Sequence, residues 1–193
     1  RGQELREAGR RAFELPLTPD ESWRLGMRFG RAQLGYADQL PDASARLKPL
    51  IRVRRGAPES AAAQVEMARA WLAAGSNHQA VVEFRLYLET YDDPALRPMA
   101  LAGLGTGLVR LGNYLEAATT FRKAAEAHGE DDPMRVECLL QAGNALHAAG
   151  HYENAAELFG RIARLGVDPI HRRAAFLQAD ALERFGSFEA AER

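Results

Sequence analysis

The chain has 193 residues, 47% hydrophobic and 26% charged, with a net charge of −1. That composition describes a folded protein, and the near-zero charge gives no global argument for nucleic acid or a membrane surface. The single cysteine, Cys138, excludes an internal disulfide and a cysteine metal cluster, and no apolar run approaches the roughly 20 residues that span a bilayer.

Residues 4–15 read as the second helix of an earlier helix pair. Thr18, Pro19 and Glu21 form a capping box with proline at the first helical position. A helix to about residue 37 should follow, with Trp23, Met27 and Leu34 inward, joined by Phe29 or Gly30. Pro41 and Asp42 start another helix that runs to about residue 53, so residues 18–58 read as one degenerate pair. Charge is uneven along the chain: residues 1–55 carry 12 Lys/Arg against 7 Asp/Glu, and residues 56–193 carry 13 against 19. The densest basic spot is Arg52, Arg54 and Arg55, which reads as a solvated helix end complementing the helix dipole.

From residue 59 onward the sequence repeats itself. Gly112, Tyr114 and Ala117 are followed by Phe121 and Ala124. Gly150, Tyr152 and Ala155 are followed by Phe159 and Ile162. Gly75, Asn77 and Ala80, followed by Phe84 and Tyr87, form a fainter copy, and Gly186, Phe188 and Ala191 start the pattern again. The glycines at 75, 112, 150 and 186 give periods of 37, 38 and 36 residues. Each glycine should end a first helix in a left-handed cap. The aromatic opens the second helix and packs back, and the alanine lets the two helices approach. Leu101, Leu104, Gly105 and Leu108 share one face of a first helix, as do Leu139, Ala142, Gly143 and Leu146. Pro58, Pro94, Pro133 and Pro169 close the units near the next helix start. The units are residues 59–94, 95–133, 134–169 and a truncated 170–193; the last breaks off inside a second helix, as in a piece of a longer array.

This pattern resembles the tetratricopeptide repeat, most strongly over residues 95–165, with units longer than that family's usual length of about 34. Gln64 and Gln178 depart from it at usually apolar positions. The resemblance implies an all-α, right-handed α-solenoid of antiparallel helix pairs with a concave groove lined by the first helices. It implies a non-enzymatic adaptor or scaffold that needs no cofactor. Carried over, the groove positions are Val65, Arg69 and Leu72 in one unit, then Met99, Ala102, Thr106, Val109 and Arg110. Leu140, Asn144 and His147 follow, and Phe176, Asp180 and Glu183 come last. Family members that clamp a carboxylate use lysines and asparagines in the groove; only Asn144 fits that scheme. A groove of Val, Leu, Met and Ala suits an amphipathic helix or apolar peptide. The alternatives are that the chain's own elements fill the groove, that the repeats self-associate, or that they regulate a larger multidomain protein.

Only Lys48 and Lys123 are lysines among 25 basic residues, a bias that points to a GC-rich bacterial genome. Such long units occur in bacterial envelope, type IV pilus and motility assemblies, including ones that recruit a small GTPase. The compartment stays open between bacterial cytoplasm and periplasm, with cytoplasm favoured. Protein or peptide is the expected partner, with no nucleic acid and no membrane insertion.

Several chemical signatures dissolve on inspection. His147 and His151 have metal-ligand spacing, but Gly150 between them should end the helix, and no third ligand is placed. His78, His128 and His171 read as isolated surface or loop residues. Gly103, Gly105 and Gly107 lie within an amphipathic helix and serve packing. Cys138, near a helix start, could carry a lowered pKa, but a partly buried inert thiol is the favoured reading. Glu130, Asp131 and Asp132 suit a helix start, and Trp23 and Trp71 lie at core spacing.

Overall fold

The computed structural model describes residues 2–4, 7, 11, 14, 16–130 and 132–192, with side chains through 186. The helix expected over 4–15 therefore lies largely outside the described residues. All regular structure among the described residues beyond 16 is helical: α1 (Pro19–Gln33), a 3₁₀ turn (Ala37–Gln39), α2 (Leu40–Val53), α3 (Pro58–Ala73), α4 (Asn77–Thr90), α5 (Arg97–Arg110), α6 (Tyr114–Ala127), α7 (Pro133–Ala148), α8 (Tyr152–Ala163) and α9 (Pro169–Glu192). The chain divides into two compact units, Arg1–Leu96 and Arg97–Arg193. Within each unit every helix packs on the next, the arrangement expected of consecutive helix pairs.

In the first unit, α1 opens as its sequence predicts. The Thr18 hydroxyl accepts from the Glu21 amide, and the Glu21 carboxylate accepts from the Thr18 amide at 2.9 Å. The Thr18 amide, with the Thr18 hydroxyl donating to the same carboxylate, holds the Glu21 carboxyl below its usual range. The helix ends four residues earlier than expected, at Gln33; Gly35 follows at once, and glycine favours an end over another turn. Trp23 and Met27 pack with Leu47, Ile51, Ala63 and Met67 in a core that joins α1, α2 and α3. Trp23 donates its indole N–H to the Leu50 carbonyl at 2.9 Å, and the Arg54 guanidinium lies 4.6 Å from the ring centroid. Arg54 also pairs with Asp20, so one member of the basic spot is committed to closing the α1–α2 pair.

Three turns within helix pairs are near copies. Gly75, Gly112 and Gly150 have φ of 78°, 79° and 79°, a left-handed conformation cheap only without Cβ. At each, the following residue donates across the turn: Ser76 to Trp71, Asn113 to Leu108 and His151 to Leu146, at 3.0, 2.9 and 3.0 Å. The glycine amides donate to Leu72, Val109 and His147. This doubled bond satisfies carbonyls that a helix end leaves open. The fourth expected turn is absent. Gly186 lies inside α9, which runs on to Glu192.

Prolines start α3, α7 and α9 as expected, but α5 begins at Arg97 and carries Pro98 in its first turn, leaving Pro94 in the preceding turn. The small residues of the first helices are explained by the rings beside them. A Cβ on Gly105 would stand 2.9 Å from the Phe121 ring, and one on Gly143 would stand 2.4 Å from Phe159. Phe121 and Phe159 are buried, at 4% and 0% exposure, so glycine and ring fit as a pair at each crossing. Gln64, the polar departure in α3, is equally buried and donates to the Glu83 carboxylate of α4 at 2.6 Å.

Candidate docking face

The first helices α3, α5, α7 and α9 carry the residues carried over from the repeat pattern, and the structure separates them into three groups. Val65 and Leu140 are 2% and 0% exposed. They belong to the core, contrary to the expectation that they line a groove. The reason is that first helices are covered on more than one side: α3 buries seven of its residues, from Ser60 to Ala68, including the neighbours Ala63, Gln64 and Val65. A narrow apolar stripe would have left Val65 open.

The polar members are engaged within the chain. His147 Nε2 lies 2.9 Å from Asp180 Oδ2, and Arg184 Nε reaches the same oxygen at 3.2 Å. Tyr152 closes on His147 edge-on, with ring centroids 5.1 Å apart. The Asp180 carboxylate holds the Arg184 guanidinium more firmly protonated than usual. This cluster links α7, α8 and α9. Sequence reasoning found His147 and Asp180 but missed Tyr152 and Arg184; the spacing of four between Asp180 and Arg184 was the available signal. Thr106 donates its hydroxyl to the Ala102 carbonyl at 2.9 Å. Arg69, Arg110 and Glu183 also make contacts of their own, as does the apolar Leu72.

The third group remains open. Phe176 is 74% exposed and Met99 is 43% exposed. Ala102, Val109 and Asn144 are half-buried. In the second unit, α5 and α9 thus carry exposed apolar side chains, and α7 and α9 carry the His147–Asp180–Arg184 cluster.

The remaining candidates fall to structural roles. His151 is exposed at the N-cap of α8, while His147 faces Asp180. His128, expected to be isolated, is paired: its Nδ1 lies 2.7 Å from Asp132. Asp132 also caps α7 by accepting from the Met134 amide at 2.9 Å, and the amide bond and His128 hold its carboxyl below the usual range. Asp131 lies outside the described residues. No helix among the described residues is long and apolar enough to cross a membrane.

Cys138 is 3% exposed, and burial, with Glu137 and Asp132 nearby, pushes its thiol from 9.0 up to about 11. The reactive reading therefore gives way to the inert one. Two pH units cut the thiolate fraction about a hundredfold. Native protein should accordingly resist iodoacetamide at pH 8 while denatured protein alkylates fully. Rapid native alkylation, read by mass spectrometry, would overturn this account.

Comparison with known proteins agrees with this geometry. The tetratricopeptide repeat family matches residues 102–166 and 140–193. No curated protein matches the chain. Among solved structures, it is similar to the nearly identical TPR-like repeats of a protein named as a kinesin light chain from Podosopora anserina. The TM-score is 0.63 at 19% identity, over 88% of this chain and 89% of that one. A single-substitution variant of that protein gives the same values. The turns, the glycine–phenylalanine crossings and these likenesses together identify residues 102–193 as tetratricopeptide repeats, with a fold like that of tetratricopeptide-like repeats over most of the chain.

Proposed function

We propose that the chain holds a partner protein on the α5, α7 and α9 face of its second unit, and that the docked segment is an amphipathic helix or apolar peptide. Tetratricopeptide repeats are protein-interaction scaffolds in general. The finer assignment rests on Phe176, an aromatic side chain 74% exposed at a groove position, of the kind that anchors interfaces. Met99, Ala102 and Val109 add exposed or half-buried apolar surface on α5. The His147–Asp180–Arg184 cluster supplies a polar edge that needs no rearrangement on binding. A place in a bacterial envelope, pilus or motility assembly, including one that recruits a small GTPase, belongs to the proposal on unit length alone.

The test is affinity capture with the wild-type chain beside a variant carrying Val109→Glu and Phe176→Glu. Leu140 is left intact, because a charge there would disrupt the core. Loss of a hot-spot aromatic costs about 2 kcal/mol or more, so a partner held here should disappear from the variant at unchanged circular dichroism. Capture of the same proteins by both baits would refute this face. Self-association, favoured by the exposure of Phe176 and Leu182 on one helix, would instead appear as concentration-dependent mass in light scattering.

A further inference from the structure

A cleft of about 420 Å³ opens in the second unit between the end of α6, the start of α7 and the end of α8. None of the docking-face residues lines it. Its apolar wall includes Leu139, Leu158 and Ile162, with Leu165 at 65% exposure. Arg122, Arg135 and Arg161 line it from three separate elements. Among the described residues none of the three takes a carboxylate partner at ion-pair distance, in a chain whose other arginines include Arg31, Arg54 and Arg184, all paired. Glu126 and Glu130 also line the cleft, so its lining among the described residues carries one net positive charge.

The geometry points to this cleft as a second docking site, for an acidic peptide segment that seats one large apolar side chain between α6, α7 and α8. The volume is in the range of ligand-sized pockets, which pair apolar walls with a few placed polar groups. Three guanidiniums on three elements suit carboxylates spread along a segment better than one headgroup. Each guanidinium offers a planar fork that a carboxylate fills with two bonds. Leu165 stands ready to lose its water contact when an apolar side chain enters. The assignment rests on the chain's role as a protein-binding module, but not on the α5, α7 and α9 face.

A random peptide library displayed on phage would be selected on the whole chain. Selected peptides would be measured against wild type, Arg135→Glu with Arg161→Glu, and Phe176→Glu. The site predicts sequences with acidic residues flanking a large apolar one. Their affinity should fall at least about tenfold with the double charge reversal and stay unchanged with Phe176→Glu. Arg135→Gln with Arg161→Gln should weaken them by less, which separates lost attraction from a folding defect. Peptides without acidic residues, or indifferent to the reversal, would overturn the assignment, as would an absence of enrichment. Octanoate provides the second arm: if it perturbs the Leu158 and Ile162 methyl resonances while no peptide is enriched, the cleft takes a small amphiphile and the peptide reading fails. Peptides lost only with Phe176→Glu would place docking on the other face and sink the cleft alone.

Discussion

Phe159→Ala should destabilise the second unit by about 3–5 kcal/mol, the usual range for emptying a buried aromatic site. Phe159 is fully buried on α8 and sits against the Cα of Gly143 on α7. No neighbouring side chain on that side can collapse into the space, because glycine has none. Against a total stability of about 5–15 kcal/mol for a domain, the loss is large. Urea unfolding followed by circular dichroism would measure it, as a lowered midpoint at similar slope.

The contact makes a sharper claim through Gly143→Ala. In wild type the new Cβ would lie 2.4 Å from the Phe159 ring, so the ring must shift, at about 1–3 kcal/mol. Alanine otherwise gains about 1 kcal/mol over glycine within a helix. In the Phe159→Ala background the obstruction is gone, and Gly143→Ala should become stabilising. That reversal of sign is the diagnostic result. If Gly143→Ala has the same effect in both backgrounds, the glycine is not there to admit the ring. Gly105 and Phe121 offer the same test at 2.9 Å, with a smaller penalty expected.

Such pairs could be read from the sequence because each depends on local spacing. Glycine, then an aromatic, then Phe at a fixed distance fixes a turn and one crossing. Gly75, Gly112 and Gly150 adopt the left-handed caps that spacing implies. Gly186 has the same sequence spacing but stays inside α9, so the spacing alone does not fix the turn. The docking face was less accessible. Periodicity identifies one buried stripe, whereas these first helices are covered from two sides, and this takes Val65 and Leu140 inside. His147 and Asp180 lie 33 residues apart in sequence, and nothing local signals that they meet. The cleft among α6, α7 and α8 is less visible still, since each element supplies only part of its lining.

Replacing Glu83 with alanine should cost the first unit about 3 kcal/mol, and the size depends on which partner can return to water. Glu83 is 1% exposed on α4, with Lys48 of α2 at 2.7 Å and Gln64 of α3 at 2.6 Å. One carboxylate thereby ties together three helices. Breaking a buried ion pair from one side costs about 3–5 kcal/mol when the other charge stays buried. Here Lys48 is 48% exposed and rehydrates, which pulls the cost toward the low end. Gln64 is 3% exposed and cannot, so its amide keeps only the long 3.5 Å bond to the Glu83 carbonyl, at a cost of about 1–3 kcal/mol. The reverse truncation is the costlier one: Lys48→Ala leaves the 1% exposed Glu83 carboxylate with only its bond from Gln64, the case in which a stranded charge costs about 3–5 kcal/mol. Denaturation should therefore rank Lys48→Ala below Glu83→Ala in stability. Glu83→Leu combined with Gln64→Leu should recover most of the loss, because an apolar pair leaves no buried polar atom without a partner. A smaller loss from Lys48→Ala than from Glu83→Ala would move the weight from the ion pair onto the bond with Gln64. No recovery in the double variant would show that the three helices need this hydrogen-bonded geometry and not merely a filled space.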